Sequence, residues 1–380
     1  MGTRGGPAWL LPVFVLLLVN DVSAAEVQSW RVSGDLRFGW YADERRTRTG
    51  EKQRNDEGRM RLRAALDGDL GGGWSARGRL AATAGTDTAP DRFYLRFDAP
   101  TRSGAALGDA TLDQLYLRQQ RGDWRVTIGR FSSGFDLVGV AGKALDRKPA
   151  SNVAITWTDG LHVERRLNAG WRAHAILQYQ DSDGLGQSTQ APLDYSRGDS
   201  RVGTWFALVA EPTGVFEQRS LSVTWMPDTL AARGVANPSR KNYVALDGKL
   251  ALVWPLGEGG MRLVVGGEVG YAPNRPLHGA LTTGGTGRAD GWAWQISANL
   301  YDIAPGHNLG LVHGRADAGW LLSPDYRAND KLSEVRYQWR FHPAWSMEAR
   351  YRIREEREVP ASARRERQDR DVYLRFTWRF

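Results

Sequence analysis

Apolar and polar residues alternate with a period of two through most of the chain. The alternation is clearest at the C-terminus, where Val372, Leu374, Phe376, Trp378 and Phe380 share one face and the residues between them are polar or charged. This pattern is typical of a β-strand that separates two different environments. It recurs in segments of about ten residues or more, the length of a tilted strand that crosses a bilayer. The predicted strands cover residues 30–41, 57–70, 73–84, 109–120, 123–131, 151–167, 170–181, 200–211, 216–226, 240–255, 260–272, 289–303, 307–321, 331–342, 344–356 and 369–380.

Short and long links alternate between these segments. The short links are 71–73, 121–122, 168–169, 212–214, 257–259, 304–306 and 342–344. The long, polar links are 42–56, 85–108, 132–150, 181–199, 227–239, 273–288, 322–330 and 357–368. Tight turns at one rim and long loops at the other are typical of an outer-membrane barrel, with the turns periplasmic and the loops extracellular. The sequence therefore predicts an all-β, antiparallel transmembrane barrel of sixteen strands.

The segment 91–98 is the one ambiguity in the strand count. Phe93, Leu95 and Phe97 alternate as in a strand. Counting this segment as a strand would place the link 132–150 on the rim of short turns, so we assign it to a long loop that contains at most a short, non-spanning strand. Eighteen strands remain the alternative.

The N-terminus predicts export. Arg4 precedes an apolar run at 10–19, and small residues follow around Ala24, which is the arrangement of a cleaved signal peptide. The apolar run is about half the length that a spanning helix needs. We therefore expect a signal peptide at 1–24 and one barrel domain at 25–380, located in the cell outer membrane. With no Cys in 380 residues, disulfides, thiolate-bound metals and a Cys-linked lipid anchor are excluded.

Aromatic residues and charge support a membrane barrel over an enzyme or a nucleic-acid-binding protein. Tryptophans lie near many predicted strand ends, where their rings prefer the membrane interface: Trp30, Trp40, Trp74, Trp171, Trp205, Trp225, Trp254, Trp345 and Trp378. The net charge of +8 also suits nucleic-acid binding, but that function does not fit an exported chain. The six His residues lie in no H-E-x-x-H or G-x-S-x-G motif. We expect no catalytic activity, metal or cofactor, and we interpret the acidic loop residues Asp181, Asp183 and Asp199 as solvated charge rather than as a Ca²⁺ site.

Two stretches of sequence resemble a known family. Residues 115–118 and 121–130, which end in Gly129-Arg130, are similar to the fourth strand, tight turn and fifth strand of Gram-negative outer-membrane porins of the general type. The loop that follows has the length of the porin loop that folds into the pore, and 152–157 resembles the strand that leaves it. The terminal Phe380 is similar to the signal by which the barrel-assembly machinery recognises these proteins. The resemblance implies passive diffusion of small solutes, a third loop folded into the pore, a homotrimer, and contact with outer-membrane lipid and lipopolysaccharide.

If the apolar face of each strand contacts lipid, many arginines must face the lumen. Met60 and Leu62 lie on the outward face, which turns Arg59, Arg61 and Arg63 inward, and an arginine at the lipid midplane would cost about 2–4 kcal/mol. The same argument, applied to neighbouring strands, predicts a basic wall. Its members are Arg37, Arg59, Arg61, Arg63, Arg77, Arg79, Arg336, Arg340, Arg350, Arg352, Arg354, Arg375 and Arg379, extended by Arg147 from the loop 132–150.

The resemblance further implies acidic residues on the pore loop that face this wall, and Asp136 and Asp146 stand in that position. The alternative is that the arginines pair with carboxylates in the lumen, such as Asp35, Asp67 and Glu348, and simply fill it. We expect a porin that favours anions. The alternative function is a channel specific for phosphate, organic acids or an acidic polysaccharide.

Overall fold

The computed structural model describes residues 29–86, 94–96, 109–147, 157–179, 192–195, 200–231, 240–257, 259–281 and 285–380. The predicted signal peptide at 1–24 lies outside this range. Within it, no helix is long and apolar enough to cross a membrane.

The described chain is built from one sheet of long strands. The strands are β1 (Ser29–Arg46), β2 (Lys52–Gly71), β3 (Trp74–Gly85), β4 (Tyr94–Arg96), β5 (Asp109–Arg121), β6 (Trp124–Phe131), β7 (Thr158–Arg166), β8 (Trp171–Tyr179), β9 (Val202–Ala210), β10 (Phe216–Ala231), β11 (Arg240–Pro255), β12 (Arg262–Tyr271), β13 (Trp292–Ala304), β14 (His307–Ala316), β15 (Asp330–His342), β16 (Trp345–Glu356) and β17 (Gln368–Arg379).

All strands except β4 form a closed antiparallel barrel of sixteen strands, as predicted. The barrel closes where β1 pairs with β17, from Asp35 opposite Arg379 to Arg46 opposite Gln368. The three-residue β4 pairs in parallel with the start of β5 and does not enter the barrel as a spanning strand. Of the segment 91–98 the structure describes only 94–96, and the sixteen-stranded barrel removes the eighteen-strand alternative.

The alternation in sequence separates the lumen from the outer surface. Leu62 is 42% exposed, whereas the preceding Arg61 is fully buried. Because strand side chains alternate between the two faces, this pair shows which side chains of β2 face the lumen and which face outward. A band of exposed apolar residues surrounds the barrel, including Phe38, Trp40, Met60, Leu66, Leu80, Leu115, Leu117, Leu177, Phe206, Leu208, Leu221, Leu246, Leu250, Val265, Ile296, Leu311, Val372 and Leu374. Such a band is the surface that a barrel presents to lipid.

The two rims differ as the link lengths predicted. At the rim where β1 begins and β17 ends, β2 turns into β3 through Gly72 and Gly73, whose φ values of +59° and +82° lie in the left-handed region that glycine adopts at least cost. At the opposite rim, β1 and β2 extend further than predicted, so that only 47–51 remain as a turn instead of 42–56. These extra strand residues are polar because they lie beyond the apolar band, and so they carry no apolar alternation that could have revealed them.

Two of the described loops that fold into the lumen shape the channel. The first, here called the pore loop (132–147), follows β6 and is the described part of the link predicted at 132–150. The second inward loop (317–329) follows β14, and here the prediction was wrong: the strand predicted at 307–321 ends at Ala316, and part of the link predicted at 322–330 is buried inside the barrel. Trp320, Leu321 and Leu322 are fully buried. Three consecutive apolar residues cannot satisfy a strand with one polar face, which is the physical reason that the chain leaves the wall here.

The two inward loops pack on each other and on one side of the barrel. The indole of Trp320 donates a hydrogen bond to the Leu145 carbonyl at 2.8 Å, and the Ser323 hydroxyl donates to the Ala144 carbonyl at 2.7 Å. The phenol of Tyr243 on β11 donates to the Gly319 carbonyl at 3.0 Å. The apolar core that results fills the lumen along β10 to β15. The arginines line the remaining side, along β1 to β3 and β15 to β17.

Candidate channel and its basic wall

The pore loop is held to the barrel by a buried cluster of charges. The Lys249 ammonium lies 2.8 Å from an Asp146 oxygen and 3.0 Å from a Glu268 oxygen, and it also contacts Asp247. Burial alone would raise the pKa of Asp146, but the charge of Lys249 and hydrogen bonds from Lys249, Ser222 and Trp205 outweigh it and hold this pKa below its usual value. Asp146 is therefore an ionised anchor of the loop.

Further bonds fix the pore loop along its length. The Lys143 ammonium lies 2.8 Å from a Glu334 oxygen on β15. The Leu145 amide donates to Glu268 on β12 at 2.8 Å, and the Val140 amide donates to the Asn299 side chain at 2.8 Å. Because its partners lie on the wall from β9 to β15, the loop leaves a passage on the opposite side.

A cavity of about 280 Å³ lies between the pore loop and this opposite wall. Five arginines line it, and the carboxylates among the lining residues are those of Asp136 and Glu348. The arginines are Arg37, Arg336, Arg340, Arg375 and Arg379. The described lining of the cavity therefore carries a surplus of positive charge.

Next to the cavity, one carboxylate lies close to three arginine side chains. Asp35 lies 2.6 Å from Arg63, 3.2 Å from Arg61 and 3.7 Å from Arg37. Three guanidinium groups around one carboxylate leave this part of the wall positive even though its members are ion-paired. The pairing register explains the crowding, because Arg37 of β1 stands directly opposite Arg61 of β2.

Between the cavity and the rim of long loops, charge of both signs lines the wall. Arg350 and Arg352 bind Asp371 of β17, and the Arg354 guanidinium donates to the Asp325 carbonyl at 2.8 Å. Glu334 also contacts Arg336. These carboxylates reduce the local charge but hold the guanidinium groups in fixed positions.

On β2 and β3, several arginines are neutralised one to one. Arg77 binds Asp67 at 2.6 Å, Arg79 binds Asp113 at 2.7 Å, and Arg59 binds Glu57. These three face inward but lie outside the 280 Å³ cavity. For these three arginines, the geometry is that of the alternative in which arginines pair with carboxylates in the lumen.

The structure separates the two predicted acidic loop residues. Asp136 lines the cavity together with the arginines. Asp146 does not face the channel, because Lys249 draws it into the barrel wall, where it is 1% exposed. The expectation that Asp146 faces the basic wall was therefore wrong.

Arg147 also lies elsewhere than predicted. Its guanidinium donates to the hydroxyls of Ser133 and Thr158 at 2.9 and 3.0 Å, and it contacts Gln178. Burial lowers its pKa to about 10, although Asp146 opposes the shift. Arg147 thus supports the base of the pore loop and does not extend the basic wall.

Sequence reasoning missed Lys143 and Lys249. Lys249 occupies an inward position in a strand whose inward neighbours include Asp247 and Ala251. The alternation in sequence places Lys249 and Asp247 on the same inward face. However, Asp146, the partner of Lys249 on the pore loop, is 103 residues away in sequence.

Phe380 closes the barrel at the rim of short turns. The Gly34 amide donates to the Phe380 carbonyl at 2.9 Å, and the Phe380 amide donates back at 3.2 Å. A Cβ at Gly34 would lie 2.4 Å from the Phe380 ring, so that only glycine leaves room for it. On the outer surface, the centre of the Phe380 ring lies 4.9 Å from that of the Trp378 ring, and the two rings are tilted by 41°.

No family model matches the chain, and no curated protein matches it. Solved structures do match over nearly the whole chain. OccK9 (OpdG) of Pseudomonas aeruginosa is 16% identical with a TM-score of 0.57, covering 93% of this chain and 99% of that one. OprB of Pseudomonas putida, in a high-pH structure, is 11% identical with a TM-score of 0.58, covering 92% and 94%. An anion-selective porin from Comamonas acidovorans is 10% identical with a TM-score of 0.54, covering 93% and 99%.

At these identities the likeness establishes the fold. Together with the apolar band, it supports a location in the bacterial outer membrane. The chain has the sixteen-stranded barrel fold of Gram-negative outer-membrane porins.

Proposed function

We propose that the chain is an outer-membrane porin through which small hydrophilic solutes diffuse passively, with a preference for anions. The observation that carries the proposal is the 280 Å³ cavity beside the pore loop, where Asp136 and Glu348 are the carboxylates among lining residues that include five arginines. The porin fold supports the channel, and the composition of this cavity supports the preference for anions.

The physical basis is the electrostatic potential in a narrow passage. Guanidinium groups stay charged at any physiological pH, and low-dielectric walls focus their field along the passage. Rings of positive side chains raise the local concentration of anions and exclude cations. Arg340 and Arg379 are especially suited to this, because they are exposed and form no ion pair with another described residue.

The test is the reversal potential of the purified protein in a planar bilayer under a salt gradient. We expect anion selectivity for the wild type and a clear loss of it in the double variant Arg340→Ser, Arg379→Ser. Arg54→Ser is the matched control, because Arg54 is exposed at the opposite rim, outside the cavity, and pairs with Glu44. Cation selectivity of the wild type, or equal shifts in the double variant and the control, would contradict the proposal.

A substrate-specific channel is the second candidate, and one observation favours it. Both inward loops fill the lumen along β10 to β15, which confines solutes to the arginine-lined side. A narrow, basic passage suits phosphate, an organic acid or an acidic oligosaccharide. Block of single-channel current by one of these solutes, at concentrations where the others have no effect, distinguishes binding from general diffusion.

The remaining features of the proposal concern export and assembly. Cleavage of the signal peptide after Ala24 is tested by N-terminal sequencing of the mature protein. Recognition of Phe380 by the assembly machinery is tested by the yield of folded barrel after removal of this residue. A homotrimer is tested by light scattering in detergent, and contact with lipopolysaccharide by its co-purification.

A further inference from the structure

The outer surface of the barrel carries a groove in its lipid-facing band. The groove has a volume of about 510 Å³ and is lined almost entirely by apolar side chains of β6 to β10. Neighbouring strands are about 4.8 Å apart, so that the groove crosses roughly 19 Å of the wall.

The pairing register shows why the groove lies here. Ala173 of β8 stands opposite Arg165 of β7 and Leu208 of β9, and Leu208 stands opposite Leu221 of β10. The next outward residue of β8, Ala175, stands in the adjacent row, between Val163 and Phe206. Two small side chains on one strand, between larger side chains on the strands beside it, leave a trough in an otherwise bulky surface.

A cation stands at the end of the groove next to the rim of short turns. Arg165 is exposed and lines the groove, and its guanidinium lies 4.8 Å from the centre of the Trp124 ring. The guanidinium forms no hydrogen bond or ion pair with another side chain in the described part of the chain. A second cation, Arg219, lies 5.0 Å from the Phe216 ring at the same rim. Tryptophan and arginine at this height mark the boundary between acyl chains and headgroups.

We propose that this groove is a binding site for a phospholipid of the periplasmic leaflet. One acyl chain lies over Ala173 and Ala175, and the headgroup phosphate binds the guanidinium of Arg165. The phosphate is the anion that a bilayer supplies at this depth, and Arg165 lacks an acidic partner in the described chain. The groove is as long as an acyl chain but only about two rows of residues wide. This shape fits a single acyl chain better than the broad face of a second copy of the barrel.

The experiment is native mass spectrometry of the protein released from detergent micelles after titration with palmitoyl-oleoyl phosphatidylglycerol. Ala175→Phe fills the trough, and Ala298→Phe is its control on the lipid-facing side of β13, between Val265 and Leu311. Arg165→Gln removes the cation. Its control is Arg262→Gln, which also lies next to an aromatic ring, 4.6 Å from Tyr301, but outside the groove.

We expect Ala175→Phe to weaken retention of the lipid by about tenfold, since displacing two methylene groups is enough for such a loss. We expect Arg165→Gln to weaken it by about tenfold or more, since the phosphate loses a hydrogen bond from a charged donor. Both controls should bind as the wild type does. The proposal is wrong if variants and controls bind equally. It is also wrong if Ala175→Phe changes the oligomeric state and leaves bound lipid unchanged, because the groove is then an interface between copies. If Ala175→Phe does not fold, Ala175→Val reports on the same trough.

Discussion

Lys249 is the residue whose replacement tests the structure of the lumen most directly. Its ammonium is buried among Asp146, Asp247 and Glu268, and it bridges the pore loop to β11 and β12. Lys249→Met keeps much of the side-chain volume but leaves three buried carboxylates without their cation. Breaking a buried ion pair by removing one partner costs about 3–5 kcal/mol.

We expect this loss to appear in two measurements. Unfolding by guanidinium chloride, followed by tryptophan fluorescence in detergent, should occur at lower denaturant concentration by the equivalent of about 3–5 kcal/mol. In single-channel recordings, the current through Lys249→Met should fluctuate, because the pore loop has lost its anchor at Asp146.

Lys331→Met is the matched control. Lys331 also binds a carboxylate at 2.8 Å, that of Glu355, but its side chain is 46% exposed. Exposed pairs contribute about 0–1 kcal/mol. The anchoring role of the cluster around Lys249 is refuted if Lys249→Met destabilises the barrel no more than Lys331→Met does and its single-channel current does not fluctuate.

The pH dependence of the same variant has a definite sign. In the wild type, the pKa of Asp146 is held below its usual value, so its contribution to stability is present above a pH of about 4 and is lost as the pH falls through the lowered pKa. Without Lys249, burial raises the pKa of Asp146, because the charged form is desolvated. We therefore expect Lys249→Met to gain stability relative to the wild type as the pH falls from neutral toward the ordinary aspartate pKa of about 4.

Three further predictions concern the lumen and barrel closure. Gly34→Val should displace Phe380 from β1 and cost about 1–3 kcal/mol in denaturant unfolding, since its Cβ would overlap the ring; an unchanged midpoint would contradict this packing. Trp320→Ala should cost about 3–5 kcal/mol and raise single-channel conductance, because the second inward loop loses its buried side chain; unchanged conductance would mean that this loop does not limit the passage. Asp35→Asn should increase the anion selectivity measured by reversal potential, as Arg61 and the arginines beside it lose their shared carboxylate; decreased selectivity would contradict the proposed role of this wall.

Much of the fold is encoded in local patterns. The alternation in β2 is enough to place Arg61 inside and Leu62 outside, because a one-residue shift would expose the arginines to lipid. The alternation of short and long links predicts a rim of tight turns, a rim of long loops and an even number of strands. These features depend on residues close together in sequence, so they can be derived without knowing which distant segments meet.

The contents of the lumen depend on distant contacts. The sequence places Asp136 and Asp146 on the same loop, but only the closed barrel brings Lys249 beside Asp146 and leaves Asp136 at the cavity. The predicted strand 307–321 ran through Trp320, and only the structure shows that the chain leaves the wall after Ala316 and turns inward onto the pore loop. The sequence by itself determined which side chains face the lumen, since strand geometry alternates locally. Only the tertiary structure decided which of them remain at the passage, since that depends on which charges neutralise one another across the barrel.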